Sequence, residues 1–384
     1  MPEKAIEIPD IIGLARGEAE YAMLDLVNAM ENGKPYMDLE GFWFRRNGEI
    51  VKNPPRSYIM ELDDMPFPDR TIFEDQPYMN RLPFREFIGS RGCPFQCSNC
   101  FHHSWRNHLT GNKNYVRFKS PDRLIAEIKD TLDRYPMKGE PCIGFHDATF
   151  TLNRKWTLET CELLKKEIDI PWWCNTRASN MDEELADALK AGGCFEVHVG
   201  IESGDPKIRN EVLRKKVDNE QIVNAFKMLK ERDMYTFGFN MLGLPYETEE
   251  AILRTVEINR QVQPDTIFCS VFNPFPGTDL YDLVIEKGWL SDRQVESYFN
   301  HNSVLDQPSI DHELVAHYHK FFKLMVKKPW LAALLRPLDR VRIGNRTLYD
   351  YIDDQFGGVG VWRKRLSRTL PRPIKQLLKR VLKL

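Results

Sequence analysis

Ser90-Arg91-Gly92-Cys93-Pro94-Phe95-Gln96-Cys97-Ser98-Asn99-Cys100 decides the reading of this chain. It packs three of the eight cysteines into the spacing C-x3-C-x2-C. Three thiolates on one short loop can each take one iron of a cubane cluster. Most such clusters use four cysteines, so three leave one iron open to a further ligand. Gly92 lets the backbone approach closely and Pro94 stiffens the loop. The competing reading is a zinc site completed by His102, His103 or His108. Cys142, Cys161, Cys174, Cys194 and Cys269 show no second cluster spacing and read as small buried apolar residues.

Working outward, Phe84–Ser90 reads as a strand feeding the loop, and strands then alternate with helices. Pro121–Arg134 is a helix with proline in its first turn. Pro141–His146 is a strand and Arg154–Ile168 a helix. Trp172–Arg177 is a strand, and Met181–Ala191 a helix closed by Gly192-Gly193. Cys194–Gly200 is a strand, followed by helix in Asp205–Glu231. Met234–Leu242 and Asp265–Phe272 are strands, with helices in Thr248–Val262 and Thr278–Lys287. Such alternation builds a parallel sheet with helices outside it. Six βα units predict an open, partial barrel, with function at the carboxyl ends of its strands. Before it, Ile8–Leu14 reads as a strand, Gly17–Met30 as a helix, and Phe42–Val51 as a hairpin about Asn47-Gly48. Asn53–Pro68 is a proline-rich linker.

Apolar residues make up 42% and charged residues 29% of the 384, as in an ordinary globular protein. Met1–Asp10 lacks the pattern of a secretory signal, and no apolar run is long enough to span a bilayer. A disulfide framework belongs to short secreted chains, so a tight cysteine cluster here points to metal binding in a cytoplasmic enzyme.

Several motifs follow one another in a fixed order. They are Ala15-Arg16-Gly17-Glu18-Ala19-Glu20, Leu62-Asp63-Asp64-Met65-Pro66-Phe67-Pro68-Asp69-Arg70 and the cysteine loop. His146-Asp147-Ala148-Thr149-Phe150, Gly200-Ile201-Glu202-Ser203-Gly204, Gly243-Leu244-Pro245-Tyr246-Glu247-Thr248 and Pro274-Phe275-Pro276-Gly277-Thr278 come after. From about Asp10 to Leu290 the chain resembles the radical S-adenosylmethionine (SAM) superfamily, in the branch usually carrying an amino-terminal cobalamin-binding domain. The resemblance implies an α/β fold with a partial (βα)6 TIM-like barrel over 81–290. It also implies a remnant of a Rossmann-like, cobalamin-binding-type domain at 1–35, a hairpin and linker at 36–80, and a helical carboxyl-terminal region at 291–384. It implies that Cys93, Cys97 and Cys100 hold a [4Fe–4S] cluster and that SAM is cleaved reductively to a 5′-deoxyadenosyl radical. An electron donor such as a flavodoxin or ferredoxin would charge the cluster. Methyl or methylthio transfer is a second enzymatic outcome, and a non-catalytic iron–sulfur scaffold or electron carrier is the alternative from another class.

SAM offers an ammonium, a carboxylate, ribose hydroxyls and an adenine, so acids, bases and polar groups are expected at the strand ends. Asp147, Arg177, Glu202, Arg214, Gly243 and Leu244 are the candidate contacts. The competing reading makes these charges salt bridges that cap the barrel. Two positions depart from the family pattern. Asn99 stands where an aromatic residue usually precedes the third cysteine, and Asp147-Ala148 replaces Asp-Asp. His102 and His103 could touch substrate or satisfy the loop backbone; His146 and His198 could face the barrel interior or sit in the core. None of the nine histidines stands in a D-x-H-x-x-G loop, so cobalamin is not expected to bind this chain alone. Finally, nine Lys and Arg residues and no acid lie between Trp362 and Leu384. Ile374, Leu377, Leu378, Val381 and Leu382 form an apolar stripe there. That predicts a tail that docks on an anionic membrane surface, packs on the barrel, or meets RNA phosphates. A membrane contact at the inner face would fit a lipid-like substrate, and nucleic acid is not the expected partner.

Overall fold

The computed structural model describes residues 2–73, 82–109, 115–137, 139–293, 302–339, 341–343 and 346–347. Its amino-terminal part holds helix α1 (Pro2–Ile6), strand β1 (Gly13–Ala15), helix α2 (Glu20–Glu31) and the hairpin β2 (Phe42–Arg46)–β3 (Glu49–Lys52). Asn47 and Gly48 both take positive φ, as the tight two-residue turn requires. The strand expected over Ile8–Leu14 is confined to β1, which pairs antiparallel with β2. Phe42 and Phe44 stack at 5.1 Å and, with Ala22, make a small separate core.

The alternating region forms one parallel sheet. Its strands are β4 (Phe84–Phe87), β7 (Cys142–Phe145), β8 (Trp172–Thr176), β9 (Cys194–Glu202), β10 (Tyr235–Leu242) and β11 (Thr266–Val271). They lie in that spatial order, each parallel to its neighbour, as six consecutive βα units dictate. A short antiparallel pair, β5 (Ser90–Arg91) with β6 (Arg117–Phe118), brackets the cysteine loop and helix α3 (Phe101–Leu109). The covering helices are α4 (Pro121–Arg134), α5 (Arg154–Leu163), α6 (Glu183–Ala191), α7 (Asn219–Glu231), α8 (Glu249–Val262) and α9 (Asp279–Glu286). Ser120, Asn153, Asp182, Asp218, Thr248 and Thr278 each accept a backbone N–H in the first turn of the helix they precede.

Two helices differ from the sequence reading. The segment Arg154–Ile168 ends in a π-helical turn, Leu164–Ile168, stopped by Asp169 at φ 51°. The expected helix Asp205–Glu231 is broken. A π-helical turn at Ile208–Val212 is followed by Arg214 and Lys216 in left-handed backbone, and α7 starts afresh behind the Asp218–Gln221 capping box. Arg209, fully buried, holds this break together by donating to the carbonyls of Ser203 and Val217 and to Asn219.

The two faces of the sheet differ. Val197, Val199, Ile201 and Leu242 are buried beneath the helices. Alternate residues on the concave face, among them His198, Gly200, Glu202, Phe237, Phe239 and Met241, are only half-buried. A closed barrel would fill this space with side chains; here it stays a cleft. Helix α10 (His312–Lys327) covers the other side, with Val315, Tyr318, Phe321 and Phe322 packed among Leu242, Ile252, Val256 and Val271. Helix α11 (Pro329–Asp339) and the short pair β12 (Arg342–Ile343)–β13 (Arg346–Thr347) follow. No described helix is long and apolar enough to cross a membrane. The basic tail beyond Trp362 lies outside the described residues.

Candidate functional site

The cysteine loop leaves the carboxyl end of β4 and is clamped from several sides. Asp147, at the end of β7, is 1% exposed, and its carboxylate accepts from Gly89 N–H at 3.1 Å and Ser90 Oγ at 2.5 Å. Burial raises its pKa, and these hydrogen bonds oppose the shift. Asp147 therefore braces the entry of the loop. Arg91 pairs with Glu18 at 3.0 Å and Glu20 at 2.6 Å, and Arg117 reaches Glu18 at 2.8 Å. Burial acts to raise the Glu18 carboxyl; hydrogen bonds from Arg117, Ile59 N–H and Arg91 overcome it and hold the group below the usual range. The Ala15–Glu20 motif thus ties the amino-terminal module to the residues flanking the first cysteine. Gly92 has φ 91°, and a Cβ there would lie 3.0 Å from the Tyr115 carbonyl carbon, so only glycine fits. Ser98 N–H donates to Leu213 O at 3.0 Å, and its hydroxyl to Val212 O at 2.5 Å, joining the loop to the break after β9.

The three thiols form one electrostatic group. Burial pushes Cys93 and Cys100 up, and the neighbouring thiols add to the shift in both. Glu202 raises Cys100 further, while Arg177 opposes the rise at Cys93. Bare thiolates at Cys93 and Cys100 are costly here, and bound iron cations remove that cost. Among the described residues no three His, Cys, Asp or Glu side chains are closed around an ion. The fit instead rests on donor chemistry: three soft sulfurs on one glycine-opened loop at the carboxyl end of the first barrel strand. Arg177 places a guanidinium nitrogen 3.8 Å from Cys97 Sγ and stacks on Phe95 at 3.9 Å.

Glu202 ends β9 with φ 64° and accepts from Lys215 Nζ at 2.7 Å. Lys215 is 9% exposed and was missed in the sequence, where Arg214 drew attention as the base beside Glu202. Arg214 instead turns away and pairs with Asp279, which also lies 3.4 Å from His103. It lines a separate cavity of about 650 Å³ behind the loop with Ser98, Asp279 and Leu280. Asn99 donates to Met241 Sδ at 3.9 Å. His102 faces Tyr115, 3.3 Å from its hydroxyl. Of the scattered cysteines, Cys161, Cys174 and Cys194 are buried as expected, while Cys142 and Cys269 are only partly so.

Gly243 and Leu244 direct their N–H groups inward to Glu247 Oε2, at 2.5 and 3.2 Å. Glu247 is fully buried, and burial pushes its pKa up to about 8. Its Oε1 has no hydrogen-bond partner. A carboxyl raised in the folded state takes up a proton on folding above the unfolded value of 4.5. Its stabilising contribution is complete below that value and is lost as pH rises towards about 8. The slope is about 1.4 kcal/mol per pH unit at its steepest. Glu247→Gln should flatten this dependence and leave the variant more stable than the parent at pH 8, by about 2 kcal/mol. Denaturant titrations at pH 5 and pH 8 measure it; parallel loss in both proteins would show that Glu247 is not the titrating group.

Residues 87–258 match the model of the radical SAM superfamily. The chain is 29% identical over 338 residues to an uncharacterized methyltransferase of Pyrococcus horikoshii, covering 86% of this chain and 69% of that protein. It is 26% identical over 398 residues to an anaerobic magnesium-protoporphyrin IX monomethyl ester cyclase of Rubrivivax gelatinosus, covering 96% and 68%. The fold is similar to that of the radical SAM methyltransferase TsrM from Kitasatospora setae, solved with cobalamin and a [4Fe–4S] cluster. The TM-score is 0.61 at 18% identity over 84% of this chain and 62% of that one. It is also similar to the cobalamin-dependent SAM radical enzyme OxsB, with TM-score 0.64 at 14% identity over all of this chain and 60% of that one. The chain thus spans about two thirds or less of the length of each.

Proposed function

This chain belongs to the radical SAM superfamily, and we propose that its cysteine loop and the Glu202–Lys215 pair together bind SAM for reductive cleavage, with the substrate against the concave sheet face. The observation that carries the assignment is the convergence of Cys100, Glu202 and Lys215. Glu202 acts electrostatically on Cys100 and is held by Lys215 at 2.7 Å. When bound, the cluster and SAM, given an electron from a flavodoxin- or ferredoxin-type donor, supply a 5′-deoxyadenosyl radical. The chain's own residues bind and orient. Cys93, Cys97 and Cys100 hold the cluster, and Arg177 sets a fixed positive charge beside the Cys97 sulfur. Glu202 receives the SAM ammonium and Lys215 its carboxylate, so the bound amino acid replaces one ion pair with two. Asp147 fixes the loop without touching SAM. The apolar cleft keeps water from the reacting carbon.

Glu202→Gln and Lys215→Met should each weaken SAM binding to the reconstituted protein by tenfold or more at unchanged iron content. Arg214→Met should change it little. Equilibrium dialysis with labelled SAM decides; equal affinity in the parent and both site variants would reject the pocket. Methyl transfer is the second reading, favoured by the methyltransferase among the relatives. It calls for a methyl carrier beyond the described residues, such as a cobalamin on another protein.

A further inference from the structure

The concave face of the sheet carries a row of aromatic side chains that the cluster site does not use. Trp173 on β8 and His198 on β9 are stacked at 4.6 Å with 12° between their planes. Phe237 on β10 covers the other side of His198 at 4.6 Å, and Phe239 packs on Phe237 at 4.8 Å. Phe268 on β11 closes the row 5.5 Å from Phe239. Neighbouring strands lie about 4.8 Å apart, so rings stacked across them stand upright on the sheet. Only Trp173 and His198 are face to face; Phe237 is tilted 37° from His198, Phe239 43° from Phe237, and Phe268 meets Phe239 at 70°, so the half-buried row carries rings in mixed orientations.

The strand register sets the row between two polar ends. Glu86, Gly144, Trp173, Glu196 and Tyr235 lie at one level, early in β8, β9 and β10 and late in the short β4 and β7. Glu202 and Met241 lie at the other, next to the cysteine loop. From Glu196 to Glu202 is about 20 Å along an extended strand. At the far level Glu196 holds His198 at 2.8 Å and Glu86 holds His146 at 2.8 Å. The Cys142 thiol beside them is pushed up to about 11, by burial first and then by the negative field of Glu196 and Glu86.

We propose that this face binds a substrate with a flat, conjugated body laid along the row of rings and a cationic or hydrogen-bond-donating end at Glu86 and Glu196. Aromatic rings take a flat π system in offset-stacked or edge-to-face contacts that a flexible alkyl chain cannot make, so a row of rings in mixed orientations favours the flat body. Met241, two residues beyond Phe239 on the same face of β10, meets Asn99 beside Cys100, so the row points the other end of the body towards the cysteine loop. The inference rests on the concave face being the substrate side of the site proposed above.

The test uses 1-pyrenemethylamine as the flat probe and dodecylamine as a flexible amine of similar apolar size. Pyrene fluorescence is titrated against the reconstituted full chain, and dodecylamine is tried as a competitor. Saturable pyrene binding that dodecylamine displaces only at tenfold or higher excess is expected. Phe237→Leu and Phe268→Leu keep an apolar side chain of similar size but remove the aromatic ring, and each should weaken pyrene binding by about fivefold or more. Iron content and thermal unfolding confirm that each variant is folded. Absence of saturable binding, equal competition by dodecylamine, or unchanged affinity in both folded leucine variants overturns the proposal. Substrate-free formation of 5′-deoxyadenosine by the parent tests the cluster chemistry separately, so loss of one reading is distinguishable from loss of the other.

Discussion

Alanine at any one of Cys93, Cys97 or Cys100 should take the reconstituted protein from about four irons and four sulfides per chain to nearly none, and SAM cleavage with it. The size of the effect follows from the ligand set. A cubane held by three thiolates has no spare protein ligand, so two remaining sulfurs leave two irons without one. Alanine at Cys142 or Cys269 should leave the iron content unchanged. Cys142 lies on β7 facing Glu196 and Glu86, and the Cys269 thiol is pushed well up by its burial.

The same measurement separates iron from zinc. A zinc site would need one of the following histidines to turn towards the sulfurs. His103 is engaged on both ring nitrogens, with Arg106 at 3.3 Å and Asp279 at 3.4 Å. His102 faces Tyr115, 3.3 Å from its hydroxyl. The side chain of His108 lies outside the described ones. Anaerobic iron, sulfide and zinc analysis of the parent and the three variants decides. Stoichiometric zinc without iron in an active parent would sink the cluster assignment.

The barrel was legible because its signals are periodic and local. Runs such as Phe237–Leu242 and Trp172–Thr176 alternate with capped amphipathic helices, and the six strands follow within one or two residues at most ends. The cysteine loop was legible from spacing alone. The break between β9 and α7 was not. Arg214 and Lys216 take left-handed backbone without glycine or asparagine to announce it, so helical periodicity ran through them. That miss carried the choice of base with it, since on a continuous helix Arg214 and Lys215 would point elsewhere than they do. The break aims Lys215 at Glu202 and turns Arg214 to Asp279. Gly243 and Leu244 were singled out from their motif as SAM contacts, and in the structure their N–H groups serve Glu247. The part played by Glu18 was hidden for another reason. Its partners Arg91 and Arg117 lie 73 and 99 residues away in sequence, and no local pattern announces such a pair.

Gly204→Ala should destabilise the chain by about 3 kcal/mol or more, at the upper end of overpacking costs. Gly204 closes the Gly200–Gly204 motif, where Glu202 serves the site and the glycine serves packing. Its backbone lies directly against α8. A Cβ built on it would stand 2.5 Å from the Arg254 carbonyl carbon and 2.6 Å from Thr255 Cα. These are main-chain atoms of a helix interior, and no rotamer change moves them. Relief requires α8 to retreat by about 1 Å to reach van der Waals separation. That retreat breaks the Gly204 N–H bond to Thr255 Oγ1 at 2.8 Å. It also strains the buried Asn240–Asn259 pair, joined at 2.6 and 3.2 Å between β10 and α8. Ile252 and Val256 would be pulled from the core they share with α10. Ser203→Ala is the control beside it. It removes only the cap on Asp205 N–H at 3.2 Å and a long contact with Thr255, and should cost about 1 kcal/mol. Denaturant unfolding of parent and variants under one condition gives both numbers. A Gly204→Ala protein as stable as the parent would mean that α8 does not approach β9 as closely as described.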